Sequence, residues 1–306
     1  MKNNNTQLMK IPYFPGCTLK DQAKNFERSA LDSAKILGIE FVEIPKWICC
    51  GTVESLTSDD DMHHIAPMRN FIRVEEMNSQ KIVDNEYRML TLCSMCFNTL
   101  KRSNQFINNN DQETLKKLND FMYLEEDYQG KVEVIHFFEL LREIGFEKVA
   151  QKVNVPLKSL KIAPYYGCML LRPPDIGIDD AENPSIIEEF ISSIGADPVD
   201  FNSKHRCCGS YHTISKVQIV INSAKKIITD ARNHGADAII TSCPLCAFNL
   251  DSRQKEIKEQ DDSFKQMPIF YFSQLLALAF GLDKDSLGLE DNYINPEPLL
   301  KEKGLL

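Results

Sequence analysis

All ten cysteines of this 306-residue chain fall into two copies of one pattern. Each copy reads a single Cys, then Cys-Cys, then Cys-x-x-Cys. The first is Cys17, Cys49, Cys50, Cys93 and Cys96; the second is Cys168, Cys207, Cys208, Cys243 and Cys246. Matching members recur at offsets of 150 to 158 residues, and no cysteine is left over. A repeat of that length implies a duplicated domain, not a solenoid unit. The flanks repeat too. Tyr13-Phe14-Pro15-Gly16 answers Tyr165-Tyr166-Gly167, and Cys49-Cys50-Gly51 answers Cys207-Cys208-Gly209. Leu90 to Asn98 answers Ile240 to Asn249 with one inserted residue.

The cysteines belong to a chain with no export signature. The start, Met1 to Lys10, is polar and Asn-rich and lacks the apolar centre of a secretory signal. No apolar run is long enough to span a bilayer. The expected compartment is the cytoplasm, where structural disulfides are disfavoured. Vicinal pairs such as Cys49-Cys50 also suit a disulfide poorly. Ten retained thiols are therefore read as metal ligands. A net charge of −9 argues against nucleic-acid binding.

Hydrophobic patterning places the cysteines. Ile11 to Phe14 and Ile162 to Tyr166 read as buried strands ending at Gly-Cys. Helices follow at Asn25 to Leu37 and Ser185 to Ile194, each stopped by a glycine. Phe41 to Ile44 and Pro198 to Phe201 read as strands leading to Cys-Cys-Gly, and Ser215 to His234 as a helix. Met89 to Leu92 and Ala238 to Thr241 read as strands ending at Cys-x-x-Cys. Strand–helix alternation implies an α/β fold with parallel sheets, and ligands at the carboxyl ends of the strands. There a thiolate lies near a helix N-terminus, which favours its charge. Gly51 and Gly209 admit the backbone close to a bulky group and offer it N–H donors.

Five thiols per half leave three arrangements open. Four could hold a cubane cluster with one spare. Four could close a zinc site with one bystander. All five could hold a cluster of another shape. A vicinal pair is awkward for one tetrahedron and natural where one sulfur bridges two irons.

The pattern Cys-x(31)-Cys-Cys-Gly-x(41)-Cys-x-x-Cys, answered by Cys-x(38)-Cys-Cys-Gly-x(33)-Cys-x-x-Cys, resembles the cysteine-rich CCG domain. Two such domains in a chain of this size look like the B subunit of heterodisulfide reductase. Tyr166 to Pro174 and Asp180 to Pro184 look like that family as well. The resemblance implies two homologous Rossmann-like domains related by a pseudo-two-fold axis, residues 1–155 and 156–306. It implies two noncubane [4Fe–4S] clusters, one on each cysteine quintet, with a disulfide cleaved between them. It also implies two partners in the same complex, one ferredoxin-like and one flavin-containing. Methanogen members carry Cys-Cys-Pro in the first half and Pro-Asn-Arg after the first cysteine. Here Cys49-Cys50-Gly51 and Thr18 to Gln22 stand instead. The bacterial-type branch fits better, with a small-molecule or protein disulfide as substrate. The alternative is an iron–sulfur relay subunit of another CCG-domain oxidoreductase.

No Gly-x-Gly-x-x-Gly fingerprint and no ferredoxin-type cysteine run occurs, so electrons are expected from another protein. Three residues are candidates beyond the ligands. His212 could donate a proton to a leaving thiolate, and Lys20 and Arg172 could offset cluster charge or bind an anionic substrate. His63 and His64, after Asp59 to Asp61, read as solvated helix-start residues. Trp47 reads as a shield over the cluster. Gln151 to Lys161 reads as the inter-domain linker, and the acidic tail beyond Leu282 is open between docking and fraying.

Overall fold

The structure, a computed structural model, describes residues 8–52, 61–83, 85–109 and 112–306. Met1 to Gln7 and the acidic residues Asp59 and Asp60 lie outside the described residues. Two four-stranded parallel sheets organise the chain. The first contains β1 (Met9–Phe14), β2 (Ile39–Glu43), β3 (Arg88–Thr91) and β4 (Glu133–His136), in the order β2-β1-β3-β4. The second contains β5 (Lys161–Pro164), β6 (Asp197–Pro198), β7 (Ala238–Thr241) and β8 (Ile269–Tyr271), in the order β6-β5-β7-β8. The two orders are the same, so the duplication read from the cysteines is a duplication of fold. In each sheet the direction of winding reverses beside the first strand, which is where open parallel sheets bind ligands.

The expected strands and helices are present with small shifts at their ends. The exception is β6, where only Asp197 and Pro198 pair with β5 instead of the run from Pro198 to Phe201. Pro198 has no N–H to give the ladder, and one further bond, Val199 N–H to Ile162 O at 2.8 Å, ends the pairing.

The two halves embrace each other through equivalent helices. α2 (Lys24–Ile36) of the first half packs on α12 (Phe272–Ala279) of the second. Reciprocally, α6 (Phe137–Ile144) of the first packs on α8 (Ile186–Ser193) of the second. The apolar face of α12 supplies Phe272, whose ring centroid lies 4.2 Å from Phe138, 5.5 Å from Phe26 and 5.7 Å from Phe190. Ser29 and Ser273 share a buried hydroxyl hydrogen bond of 2.6 Å across the same seam.

The tail docks on the chain itself. Asn292 donates to Ile269 O at 2.7 Å and accepts from Gln274 at 2.9 Å. Leu300 is fully buried, and Lys303 pairs with Asp237 at 2.8 Å. Among the described residues no helix is long and apolar enough to cross a membrane.

Candidate metal centre

Each cysteine follows the carboxyl end of a strand. Cys17 opens α1 (Cys17–Asp21) just beyond β1, and Cys93 and Cys96 flank the start of α4 (Ser94–Asn109) beyond β3. Cys243 is the N-cap of α10 (Pro244–Asp251), whose first residue is proline, a good helix opener. Cys49-Cys50 and Cys207-Cys208 lie in the loops after the second strands.

Within each half the thiols meet. Cys50 Sγ is 3.6 Å from Cys96 Sγ, and Cys208 Sγ is 3.4 Å from Cys246 Sγ. Two sulfurs on one tetrahedral metal, at bonds of about 2.3 Å, stand about 3.8 Å apart, so both pairs have nearly that spacing. Contacts continue from Cys168 to Cys207, Cys208, Cys246 and Cys243. They cross to the first half between Cys243 and Cys93, and run on through Cys96 and Cys50 to Cys49. Cys17 is near enough to Cys49 to act on it electrostatically. Ser94 and Ser242 pin the crossing, with hydroxyls 2.7 Å apart and Ser94 N–H donating to Ser242 O at 3.2 Å.

The row favours deprotonated sulfur at particular places. Hydrogen bonds from Cys168 and Cys208 pull Cys207 down to about 2, and Gly209 N–H adds a further donor at 3.3 Å. Cys49 and Cys96 hold Cys50 well below the ordinary thiol range, and Cys243 and Cys96 do the same for Cys93. Cys207 in turn pushes Cys208 up to about 12, although Asn249 donates to its sulfur at 3.4 Å. A thiolate among donor thiols is the state that begins metal binding. Among the described residues no three Cys, His, Asp or Glu side chains surround a single-ion position. The donor set is all thiol, with one close Sγ–Sγ pair in each half. A donor set of this kind exceeds one tetrahedron and fits iron–sulfur ligation.

Glycine is required where the backbone passes the sulfurs. Gly16 has φ +74°, and a Cβ there would stand 2.9 Å from Cys96 Sγ. Gly167 repeats this, with φ +65° and 3.4 Å to Cys246 Sγ. Gly16→Ala is therefore expected to displace Cys96 and to lower bound iron severalfold with little change in far-ultraviolet circular dichroism; wild-type iron content would refute this.

The two quintets have different surroundings. A cavity of about 290 Å³ opens onto Cys17, Cys50, Cys93 and Cys96. Its other lining comes from both halves: Thr18, Gln22, Asn25 and Met95 of the first, Leu245, Phe248, Asp251 and Tyr271 of the second, with Asp291 to Tyr293 of the tail. Both α4 and α10 begin directly after matching cysteines, with no residue inserted between them. Asn98 therefore corresponds to Phe248, and Lys101 to Asp251, which corrects the one-residue insertion expected from sequence. Asn98 donates to Met169 O at 2.8 Å and to Arg172 O at 2.7 Å, tying α4 to the turn after Cys168. Phe248 makes no such tie, and Ala247 leaves the space that buried Phe97 fills in the other half.

The remaining candidates are placed as follows. Lys20 pairs with Glu27 at 2.8 Å and Glu43 at 2.6 Å; burial works against its charge, but the two carboxylates outweigh it and raise its pKa. Arg172 forms a solvent-exposed pair with Glu182 at 2.8 Å, a contact worth little. Neither lines the cavity. His212 sits half-buried in the 3₁₀ turn Ser210–His212 after Cys208, its N–H bonded to Gly209 O at 2.8 Å. His64 is not solvated as expected. It is buried against Phe106 with Nδ1 3.0 Å from Ser103 Oγ, and burial lowers its pKa to about 4. Trp47 leans edge-on to Phe14 at 5.8 Å and donates to Glu43 at 2.9 Å.

Two site residues escape a cysteine-centred reading. His136 and Tyr271 occupy matching ends of the fourth strands. A helix follows each, with Glu139 and Gln274 bonding back to the backbone N–H of His136 and Tyr271 at 2.8 and 3.0 Å. The signal was present: Val134-Ile135-His136-Phe137-Phe138 answers Ile269-Phe270-Tyr271-Phe272-Ser273. Tyr271 lines the cavity and stacks on Phe26 at 4.3 Å.

His136 is fully buried, bonding Leu92 O through Nε2 and accepting Phe138 N–H at Nδ1. Burial lowers its pKa from 6.5 to about 3. The unfolded chain then binds the proton first. Stability is full above about pH 6.5 and is lost as pH falls toward 3, by up to about 5 kcal/mol. His136→Gln should flatten the acid limb of a urea-stability profile, and an unchanged limb would contradict this.

The comparisons agree with this geometry. The model of a cysteine-rich domain family, CCG, matches residues 11–101 and 162–251. The 8-methylmenaquinol:fumarate reductase membrane anchor subunit of Wolinella succinogenes is 32% identical over 95% of this chain and 99% of that protein. The B subunit of a ferredoxin/F420H2-dependent CoB-CoM heterodisulfide reductase from Methanosarcina acetivorans is 28% identical over 94% of each chain. The crystal structure of a hypothetical protein from Helicobacter pylori superposes with a TM-score of 0.68 at 12% identity; it covers 93% of this chain and 52% of that one, and speaks to the fold alone. With two parallel-sheet units, a cysteine quintet on each, and relatives matching over nearly the full length, the chain belongs to the CCG cysteine-rich domain family and is a homologue of the heterodisulfide reductase B subunit.

Proposed function

We propose that this chain is the disulfide-reducing subunit of a heterodisulfide-reductase-like complex, acting in the cytoplasm with two noncubane [4Fe–4S] clusters. The boundary between its cluster-binding domains falls at residues 155/156. The observation that carries the reading is the approach of the two quintets where Ser94 and Ser242, next to Cys93 and Cys243, bond across the halves, beside a cavity that opens onto the first quintet.

Cys17, Cys49, Cys50, Cys93 and Cys96 would hold one cluster, and Cys168, Cys207, Cys208, Cys243 and Cys246 the other. When bound, these groups supply one-electron steps and a Lewis-acidic iron for sulfur. The chain does the rest. Gly16 and Gly167 keep the backbone clear of the sulfurs, while Ser94 and Ser242 hold the crossing. Phe248 and Tyr271 keep water from the ligand space. Reduction of a disulfide to two thiols takes two electrons and two protons. The electrons come from a ferredoxin-like subunit fed by a flavin-containing one.

A second reading is a relay subunit that carries electrons without meeting a disulfide. A relative matched over 99% of its length, named as the membrane anchor subunit of a fumarate reductase and not of a disulfide reductase, is the observation that favours it. The two separate on one assay. Cluster-loaded protein with excess reduced viologen should release two thiols per disulfide consumed; a protein that bleaches the viologen into its clusters yet leaves every disulfide intact is a relay.

A further inference from the structure

The cavity beside the first quintet has a charge character that the disulfide reading leaves open. Its apolar lining comes from Met95, Leu245, Phe248, Ile269 and Tyr271. Asp251 and Asp291 are the charged side chains among its described lining residues, and no lysine or arginine joins them. Asp251 is 4% exposed, held by Tyr293 N–H at 2.8 Å and Ile294 N–H at 3.1 Å. Burial raises its pKa to about 7. Asp291 is half-exposed, 3.9 Å from an Arg28 that is also shared with Glu290.

The duplicate half shows that an acid here is not demanded by the fold. Lys101 occupies the position of Asp251 there, paired with Glu139 at 3.2 Å. The same helix turn thus carries opposite charges in the two halves, and the open cavity has the negative one. A ligand with carboxylate or phosphate arms would bring like charge into an apolar, partly desolvated space without a cation to meet it.

We propose that this cavity, as the ligand site of the disulfide chemistry advanced above, takes uncharged disulfides and rejects anionic ones. The carbon arms lie against the apolar lining, and a hydroxyl or amide on the ligand donates to Asp251.

The test is equilibrium binding to the oxidised, cluster-loaded protein without reductant, so that no turnover occurs. Bis(2-hydroxyethyl) disulfide and dithiodiglycolate have nearly the same size and differ by two negative charges. At about pH 8, where Asp251 is mostly ionised, the uncharged compound should bind at least tenfold more tightly by calorimetry or ligand-observed NMR. Asp291→Asn should narrow that gap severalfold. Ala247→Phe, which introduces the bulk found at Phe97, should abolish binding of the uncharged compound while iron content is kept. Equal or tighter binding of the dianion overturns the proposal, as does an unchanged gap in Asp291→Asn or undiminished binding in Ala247→Phe. If the uncharged compound binds selectively but neither compound is reduced by viologen, the reductase reading fails and the selectivity of the cavity stands.

Discussion

Serine in place of Cys50 should remove about half of the iron and leave the second quintet loaded, so that about four of eight irons remain per chain. Cys50 is the buried member of its vicinal pair, in contact with Cys96 at 3.6 Å and held well below the ordinary thiol range by Cys49 and Cys96. A serine hydroxyl ionises far less readily and binds iron weakly. The second quintet has its own strands, its own helix starts and its own Cys208–Cys246 contact at 3.4 Å. Cys208→Ser should give the mirror result, with the loss in the second half. Disulfide turnover should fall below a hundredth of wild type in Cys50→Ser, because the cavity opens onto that quintet. Full iron content in either variant would show that the altered cysteine is not a ligand.

Phe272→Ala should destabilise the whole chain by about 3–5 kcal/mol in urea unfolding. The ring is fully buried and meets aromatic rings from both halves: Phe26, Phe137 and Phe138 from the first, Phe190 from the second. Truncation leaves a cavity at the seam where α12 packs on α2. Phe121→Ala is the control. Its side chain is exposed, so the stability change should stay within about 0.5 kcal/mol. A loss below about 1 kcal/mol in Phe272→Ala would mean that the two halves do not rely on this seam.

Much of this architecture is legible in the chain because the cysteines mark the carboxyl ends of the strands. Once Cys17, Cys93, Cys168 and Cys243 are aligned, the strands before them and the glycine-stopped helices after them follow from local periodicity. What the sequence hides is non-local. The repeat continues into Val134–Phe138 and Ile269–Ser273, but its offset contracts: Thr91 and His136, partners at the sheet edge, are 45 residues apart, while Thr241 and Tyr271 are 30 apart. A search keyed to cysteine spacing loses the match there, and with it the aromatic seam and Tyr271.

The acidic tail is obscure for a different reason. Its few apolar residues carry no strong period, and its anchors are single polar side chains such as Asn292 that recognise distant backbone. His64 looks solvated because acids precede it, yet its burial is set by Ser103 and Phe106 some forty residues on. The inequality of the two sites also depends on helix phase, since Ala247 and Phe248 stand at the helix positions held by Phe97 and Asn98 in the other half, and that exchange accompanies the open space beside the first quintet.

Iron, acid-labile sulfide and zinc should be counted on one anaerobically purified sample. About eight irons with matching sulfide and negligible zinc per chain is the expected composition if, as proposed, five thiols from each half hold a multi-iron group. About two zincs per chain without sulfide would mean closed structural sites, and no electron chemistry could then be assigned to these cysteines.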